Sequence, residues 1–224
     1  MNHLVIAPLL VPLLAGIALI LLRASATRAH QALSGAAVLA LVILALMLLL
    51  QVSDSDVLAY RLGNWPAPFG IVLVADRLAA VMVLITALLA ASVVLYAARD
   101  ADRTGRYFHV LFQLQLFGLN GAFLTGDLFN LFVFFEVLLI ASYGLLLHGG
   151  GAERTRAGLH YVVLNLIGST LFLFAVGTLY GVLGTLNMAD LARQLTTLAP
   201  ADLGVARAAG LLLFAVFALK AALA

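Results

Sequence analysis

The chain has 224 residues, of which 65% are hydrophobic and 10% charged, and its formal net charge at pH 7 is +2. A water-soluble domain carries about a quarter charged residues and cannot bury this much apolar surface, so the composition excludes a soluble fold. Cysteine is absent, which excludes disulfides, iron–sulfur clusters and thiolate metal sites. We therefore predict an all-α, polytopic transmembrane helix bundle.

Apolar stretches of about twenty residues, the length that crosses a bilayer as a helix, recur along the whole chain. They predict one membrane domain over residues 1–224, with seven spans near 4–22, 33–51, 75–97, 107–125, 128–147, 158–182 and 207–224. The fourth and fifth spans nearly touch, so we expect a tight turn at Thr125-Gly126-Asp127.

Two connecting segments have turn and cap signals. Residues 53–69 contain Gly63-Asn64 and two prolines between short β-prone pieces, which predicts a small hairpin on the outer face of the membrane. Asn187 and Asp190 precede the loop 199–203, and we expect them to cap a short helix.

The arginines predict the orientation, because cytoplasmic loops are enriched in positive charge. The loops after spans one, three and five carry Arg23, Arg28, Arg99, Arg103, Arg106, Arg154 and Arg156, whereas the alternate loops carry Arg61, Arg193 and Arg207. This split favours an N-terminus outside the cell and loops one, three and five in the cytoplasm. The basic residues form no patch, so we expect no nucleic-acid partner.

The chain has a single lysine, Lys220, and it lies inside the apolar run of the seventh span. Glu136, one of two glutamates, lies inside the fifth span. The helical rise of 1.5 Å per residue places Glu136 about 12 Å and Lys220 roughly 18–20 Å from the outer ends of their spans. Charged side chains at membrane depth mark ion or proton pathways, so we predict that Lys220 carries protons and Glu136 tunes its proton affinity. The alternative is a static salt bridge that joins two helices.

Other polar side chains are candidates for a proton relay or a polar lining. Asn165 and Ser169 share one face of the sixth span, and His160 lies nearer its inner end. Gln113 and Asn120 share one face of the fourth span. The alternative for each is a hydrogen bond between helices, a common role of polar residues in membrane bundles. The thirteen phenylalanines are expected to face lipid or to pack.

Motifs for enzymatic chemistry are missing from the sequence. It contains no phosphate-binding glycine loop, no cluster of metal ligands and no constellation of a nucleophile with its base. We therefore expect neither cofactor nor metal, and no enzymatic activity of the chain itself.

The glutamate and lysine contexts resemble a known family. Leu131-FVFFEVLLIASYGLLL and Phe217-ALKAALA are similar to the proton-conducting membrane transporters, which include antiporter-like subunits of NADH:quinone oxidoreductase and large subunits of Mrp-type antiporters. Gly126-DLFNLFVFFEVLLIASYGL and Leu62-GNWPAPFGIVLVADRLAA are most similar to the D-type subunits of the multisubunit monovalent cation/proton antiporters.

The resemblance implies about fourteen transmembrane helices with inverted repeats, so this chain is expected to be the N-terminal portion of a longer protein. It also implies that Glu136 and Lys220 match the family's glutamate and lysine. The expected function is proton translocation in a multisubunit Na⁺ or K⁺/H⁺ antiporter of a bacterial cytoplasmic membrane, with other membrane subunits as partners. The alternatives are a proton-pumping subunit of NADH:quinone oxidoreductase or a membrane hydrogenase, and a structural or assembly subunit.

Overall fold

Apolar helices dominate the computed structural model, which describes residues 3–22, 27–55, 57–66, 68–99 and 107–221. In a helix the backbone N–H and C=O groups hydrogen-bond to one another, as the hydrocarbon core of a membrane requires. The helices are α1 (Ala7–Leu21), α2 (Thr27–Ser55), α3 (Arg77–Ala97), α4 (Phe108–Leu124), α5 (Leu128–Leu146), α6 (Ala152–Leu183), α7 (Met188–Thr196) and α8 (Leu203–Lys220). Two short strands, β1 (Val57–Arg61) and β2 (Val72–Asp76), connect α2 to α3.

Five helices are long and apolar enough to cross a membrane, namely α2, α3, α5, α6 and α8. The chain is thus a multi-pass membrane protein, and five of the seven predicted spans are confirmed by length and composition. Helices α1 and α4 are apolar but have 15 and 17 residues. At 1.5 Å per residue they are shorter than a hydrocarbon core of about 30 Å, so their crossing stays a prediction.

Several predicted boundaries were wrong by a few residues. Residues 75–76 belong to β2, and α3 begins only at Arg77, because the Asp76 side chain caps it by accepting a hydrogen bond from the Ala79 amide at 2.7 Å. Helices α2 and α6 extend beyond the predicted 33–51 and 158–182, since helical hydrogen bonding continues through the polar residues that flank each apolar stretch. The last three residues of the seventh predicted span lie outside the described ranges, as do three of the loop arginines, Arg23, Arg103 and Arg106.

The hairpin predicted between the second and third spans is confirmed. Strands β1 and β2 are antiparallel, with Val57 opposite Asp76 and Arg61 opposite Val72. Gly63 has a φ of 62°, in the left-handed region that glycine adopts without strain. We call the end of the bundle that carries β1, β2 and the turns 125–127 and 184–187 the hairpin end. The opposite end, with residues 147–151, is the loop end.

The tight turn between α4 and α5 is also confirmed, and it is part of a repeated motif. In Thr125-Gly126-Asp127 the Thr125 hydroxyl accepts from the Asp127 amide at 3.3 Å, and the Asp127 side chain caps α5 at 2.9 Å. Thr185-Leu186-Asn187 repeats both bonds, and Asn187 caps α7 as predicted, accepting from the Asp190 amide at 3.1 Å. An antiparallel bridge between Asp127 and Asn187 joins the two turns.

The helices pack around two apolar cores. The first lies among α1 to α4 and β2, and the second among α5 to α8. Helices α4 and α5 join them, at a contact where α4 presents Gly118 and Gly121. A Cβ atom at Gly118 would lie 2.8 Å from the backbone nitrogen of Leu138 in α5. Small residues allow such close approach between membrane helices.

We predict that Gly118→Ala destabilises the protein, because its methyl group meets backbone that cannot move aside like a side chain. Overpacking of this kind costs about 1–3 kcal/mol, so the thermal unfolding midpoint in detergent should fall. Gly210→Ala is the matched control, since a Cβ atom at this helical position meets nothing within 4 Å. Equal midpoints for the two variants would contradict the close contact between α4 and α5.

Candidate functional site

Three helices of the second core meet at Lys220, the last residue of α8. Its half-buried side chain donates a hydrogen bond to the Ser169 hydroxyl of α6 at 3.3 Å. Its Nζ atom also lies 5.5 Å from the ring centroid of Phe135 in α5, a cation–π geometry. The ammonium group is therefore held by one hydroxyl and one aromatic face.

Glu136 follows Phe135 on α5, and one of its carboxylate oxygens, Oε1, is buried without a hydrogen-bond partner. Because Glu136 directly follows Phe135, whose ring lies 5.5 Å from the Lys220 Nζ atom, both charged residues lie in the same region of the second core. Within the described ranges, however, the two groups form no direct ion pair. Helix α6 contacts both α5 and α8, and it lines the site from the side. The role of the pair in proton transfer thus stays a prediction.

A cavity of about 360 Å³ adjoins the ammonium group. Its lining is mostly apolar and consists of Phe135, Leu138, Leu139, Tyr161, Leu164, Asn165, Leu219 and Lys220. Tyr161, Asn165 and Ser169 follow one another at intervals of four residues and so form a polar stripe along α6. The structure therefore brings two predicted site residues, Asn165 and Ser169, to Lys220.

His160 lies away from this cavity. Its side chain is exposed, and its Nδ1 atom is 2.8 Å from the carbonyl oxygen of Arg156 on the same helix. His160 precedes Asn165 by five residues, which turns it well off the polar stripe of a 3.6-residue helix.

Gln113 and Asn120 are buried in the first core instead. Gln113 donates to the Ser34 hydroxyl at 3.1 Å, and Asn120 donates to the Pro8 carbonyl at 3.0 Å. Pro12 lies four residues after Pro8 in α1 and has no N–H for that carbonyl. Asn120 therefore supplies the hydrogen-bond donor that α1 lacks at this carbonyl. Both Gln113 and Asn120 make hydrogen bonds between helices, which was the alternative role predicted for them.

Two tyrosines that the sequence analysis did not select also lie at the site. The Tyr143 and Tyr161 rings pack edge to face with centroids 5.6 Å apart, and the Tyr161 hydroxyl is 3.5 Å from the Ser142 hydroxyl. One signal was available in the sequence: Tyr143 follows Glu136 by seven residues, two helical turns on the same face.

Known proteins are similar to this chain in both sequence and fold. Residues 125–224 match the transmembrane family described as NADH:quinone oxidoreductase/Mrp antiporter. A probable K⁺/H⁺ antiporter D subunit from Rhizobium meliloti is 48% identical over 99% of this chain and 42% of its own length. A Na⁺/H⁺ antiporter D subunit from Alkalihalophilus pseudofirmus is 43% identical over 100% of this chain and 45% of its own length.

Solved structures agree with these relatives. A chain of the Mrp complex from Dietzia sp. superposes with a TM-score of 0.85 at 31% identity, over 97% of this chain and 41% of that chain. A chain of respiratory complex I from Thermus thermophilus superposes with a TM-score of 0.72 at 28% identity, over 96% of this chain and 42% of that chain. A chain of an archaeal membrane-bound sulfane sulfur reductase gives 0.83 at 29% identity, over 96% of this chain and 43% of that chain.

The chain matches the family of NADH:quinone oxidoreductase and Mrp antiporter subunits in sequence and in fold, which confirms the resemblance found in its sequence. Both curated relatives described above are D subunits of cation/proton antiporters. The chain spans less than half the length of these curated relatives.

We predict that Asn120→Leu lowers stability, since it leaves the Pro8 carbonyl buried without a donor. An unsatisfied buried acceptor costs about 1–3 kcal/mol, which should lower the thermal unfolding midpoint. Gln115→Leu is the control on the same helix, because the Gln115 Oε1 atom is already buried without a partner. A midpoint for Asn120→Leu equal to that of the control would exclude this role of Asn120.

Proposed function

We propose that this protein is a proton-translocating membrane subunit of a multisubunit Na⁺ or K⁺/H⁺ antiporter. The observation that carries the proposal is the position of Lys220. A lone ammonium group lies among apolar helices, adjoins a cavity and packs on the ring of Phe135, the residue next to Glu136 in α5. The names of the curated relatives support the exchange of a monovalent cation for a proton.

The chemistry follows from the surroundings of the ammonium group. Burial disfavours its charge, whereas the carboxylate favours it, so the proton affinity of Lys220 depends on where Glu136 lies. The absence of a direct ion pair between these two described residues suits this role, because the interaction can then be strengthened or weakened by a small displacement of α5. A direct, fully paired salt bridge would hold the proton on the lysine.

We infer the membrane, the orientation and the partners of the protein from its arginines and its relatives. We place it in a bacterial cytoplasmic membrane with the hairpin end outside and the loop end in the cytoplasm, since arginines are concentrated in the loop-end connections. Its partners would be further membrane subunits, as in the multisubunit complexes that contain similar chains. The transported ions would be protons and Na⁺ or K⁺.

We predict that Lys220→Ala, made in the complete protein within its complex, abolishes cation exchange driven by a pH gradient in membrane vesicles. The variant removes the proton-carrying group, so exchange should fall to the level of vesicles without the complex. Arg207→Gln is the control, because Arg207 is an exposed cation near the start of the same helix. Unimpaired exchange by an assembled Lys220→Ala complex would refute the proposed function.

We predict a comparable loss for Glu136→Gln, which keeps the shape of the side chain and removes its charge. The matched control is Glu153→Gln, because Glu153 is the other glutamate and lies exposed in the first turn of α6. Both variants are measured in the same vesicle assay. If proton flux survives the changes at Glu136 and Lys220, the chain has a structural or assembly role instead.

A second candidate is a proton-pumping subunit of a redox-driven complex, which the similarity to chains of complex I and sulfane sulfur reductase favours. Both candidates use the same residues and differ in their partners. Purification of the native complex separates them, since a redox complex carries flavin and iron–sulfur absorbance and an antiporter does not.

A further inference from the structure

Helix α6 carries several polar side chains, and Ser169 differs from its neighbours in its hydrogen bonding. Asn165, Thr170 and Thr178 each donate to the backbone carbonyl four residues earlier, at 2.9, 2.9 and 2.8 Å, as polar side chains in helices commonly do. Among the described residues Ser169 makes no such bond, and its hydroxyl accepts from the Lys220 ammonium group at 3.3 Å. The Ser169 hydroxyl is therefore directed at another helix.

Gly168, the residue before this serine, makes room for the lysine side chain. A Cβ atom at Gly168 would lie 3.3 Å from the Leu219 Cδ2 atom, 3.8 Å from the Lys220 Cε atom and 3.9 Å from the Lys220 Cγ atom. Gly177, further along the same helix, has nothing within 4 Å of such an atom. The space beside the backbone at Gly168 is therefore occupied by side chains of α8.

Gly168 and Ser169 act on different parts of one side chain. Gly168 contacts the methylene groups of Lys220, and Ser169 binds its terminal nitrogen. The Phe135 ring lies 5.5 Å from the same nitrogen. Lysine has a flexible four-carbon stem, so these contacts restrict where its nitrogen lies. We call Gly168 and Ser169 the lysine seat.

We propose that the lysine seat fixes the position of the Lys220 nitrogen in both of its protonation states, with Ser169 as a positioning residue for proton transfer. A hydroxyl group can accept a hydrogen bond from the ammonium form and donate one to the neutral amine. An ionised carboxylate only accepts, so it would hold the charged form alone. The role in transport rests on the proposed function, whereas the position of the nitrogen does not.

Acylation tests the lysine seat without transport, because acetic anhydride reacts with a neutral amine and not with an ammonium group. Reaction at Lys220 is followed by mass spectrometry over a range of pH, in the complete protein within its complex. In Ser169→Ala we expect the pH of half-maximal reaction to fall by about 0.5–1 pH unit, because hydrogen bonds to charged groups are about twice as strong as neutral ones. Ser169→Thr keeps a hydroxyl and should stay near the wild-type value.

Thr170→Ala is the matched control for Ser169→Ala. Thr170 is the next residue on α6, and its hydroxyl donates to the Leu166 carbonyl of its own helix. Its removal should leave the pH of half-maximal reaction at Lys220 unchanged. Equal values for Ser169→Ala and Thr170→Ala would overturn the proposal.

Gly168→Val tests the other part of the lysine seat, because its methyl groups would occupy the space of the lysine stem. We expect the same fall as in Ser169→Ala and no further fall in the double variant, since both changes break one hydrogen bond. Gly177→Val is the control, because a Cβ atom there meets nothing within 4 Å. Additive falls in the double variant would refute a single seat. Co-purification of the partner subunits restricts the comparison to assembled complexes.

Exchange measurements separate a failure of the lysine seat from a failure of the proposed function. In membrane vesicles the pH profile of cation exchange should move in Ser169→Ala in the same direction as the acylation profile. If Lys220→Ala keeps full exchange while the acylation results agree with expectation, the proposed function fails and the seat stands. If Lys220→Ala abolishes exchange while Ser169→Ala leaves the acylation profile unchanged, the seat fails and the proposed function stands.

Discussion

Lys220 places one ammonium group among the apolar helices α5, α6 and α8, and the side chains around it compensate for this charge. A charged side chain at this depth costs several kcal/mol unless it is paired or hydrated. The bond to Ser169 and the face of Phe135 offset part of that cost, with a cation–π interaction contributing about 0.5–2 kcal/mol. The cavity beside Lys220 offers room for water. The polar stripe of α6 therefore lies beside the Lys220 ammonium group and the cavity.

The two cores use polar side chains in different ways. In the first core, Gln113 and Asn120 are fully buried and hydrogen-bonded to neighbouring helices. Asn120 donates to the carbonyl in α1 that Pro12 leaves without its helical donor. In the second core, Ser169 and Asn165 lie at the edge of a cavity. A polar group that is buried and hydrogen-bonded to a neighbouring helix holds the two helices together. One that borders an open volume is available to water and to ions.

The sequence predicted the helical membrane fold, the hairpin and the turn at residues 125–127, and five of its seven predicted spans are confirmed, because these features follow from apolar length and from local turn chemistry. It also selected Lys220, Asn165 and Ser169 as candidates, since a lone charge and a four-residue spacing are visible in the chain itself, and their role in proton transfer stays a prediction. It did not distinguish Asn120 from Asn165. Both are asparagines in apolar spans. Periodicity predicts which residues share a face of a helix, but it does not predict which neighbouring helix that face contacts.

The sequence analysis also missed the two tyrosines and the ring contacts among Phe132, Phe135, Phe172 and Phe217, for a related reason. Thirteen phenylalanines spread over apolar spans look alike in sequence, and only the crossing of α5, α6 and α8 brings four of them together. His160 was selected for its chemistry and lies five residues from Asn165, where the turn of the helix directs it to the exposed surface. Side-chain chemistry therefore identified candidates, and packing decided among them.

The bridge between the Thr125 and Thr185 turns has a mechanical consequence. It fastens the start of α5 to the end of α6 at one edge of the bundle. At the other edge these helices are connected through Gly149, Gly150 and Gly151, whose positive φ angles glycine adopts without strain. The two helices are therefore held by backbone hydrogen bonds at one end and by a short glycine connection at the other, so the bridge sets the spacing of α5 and α6 at the hairpin end.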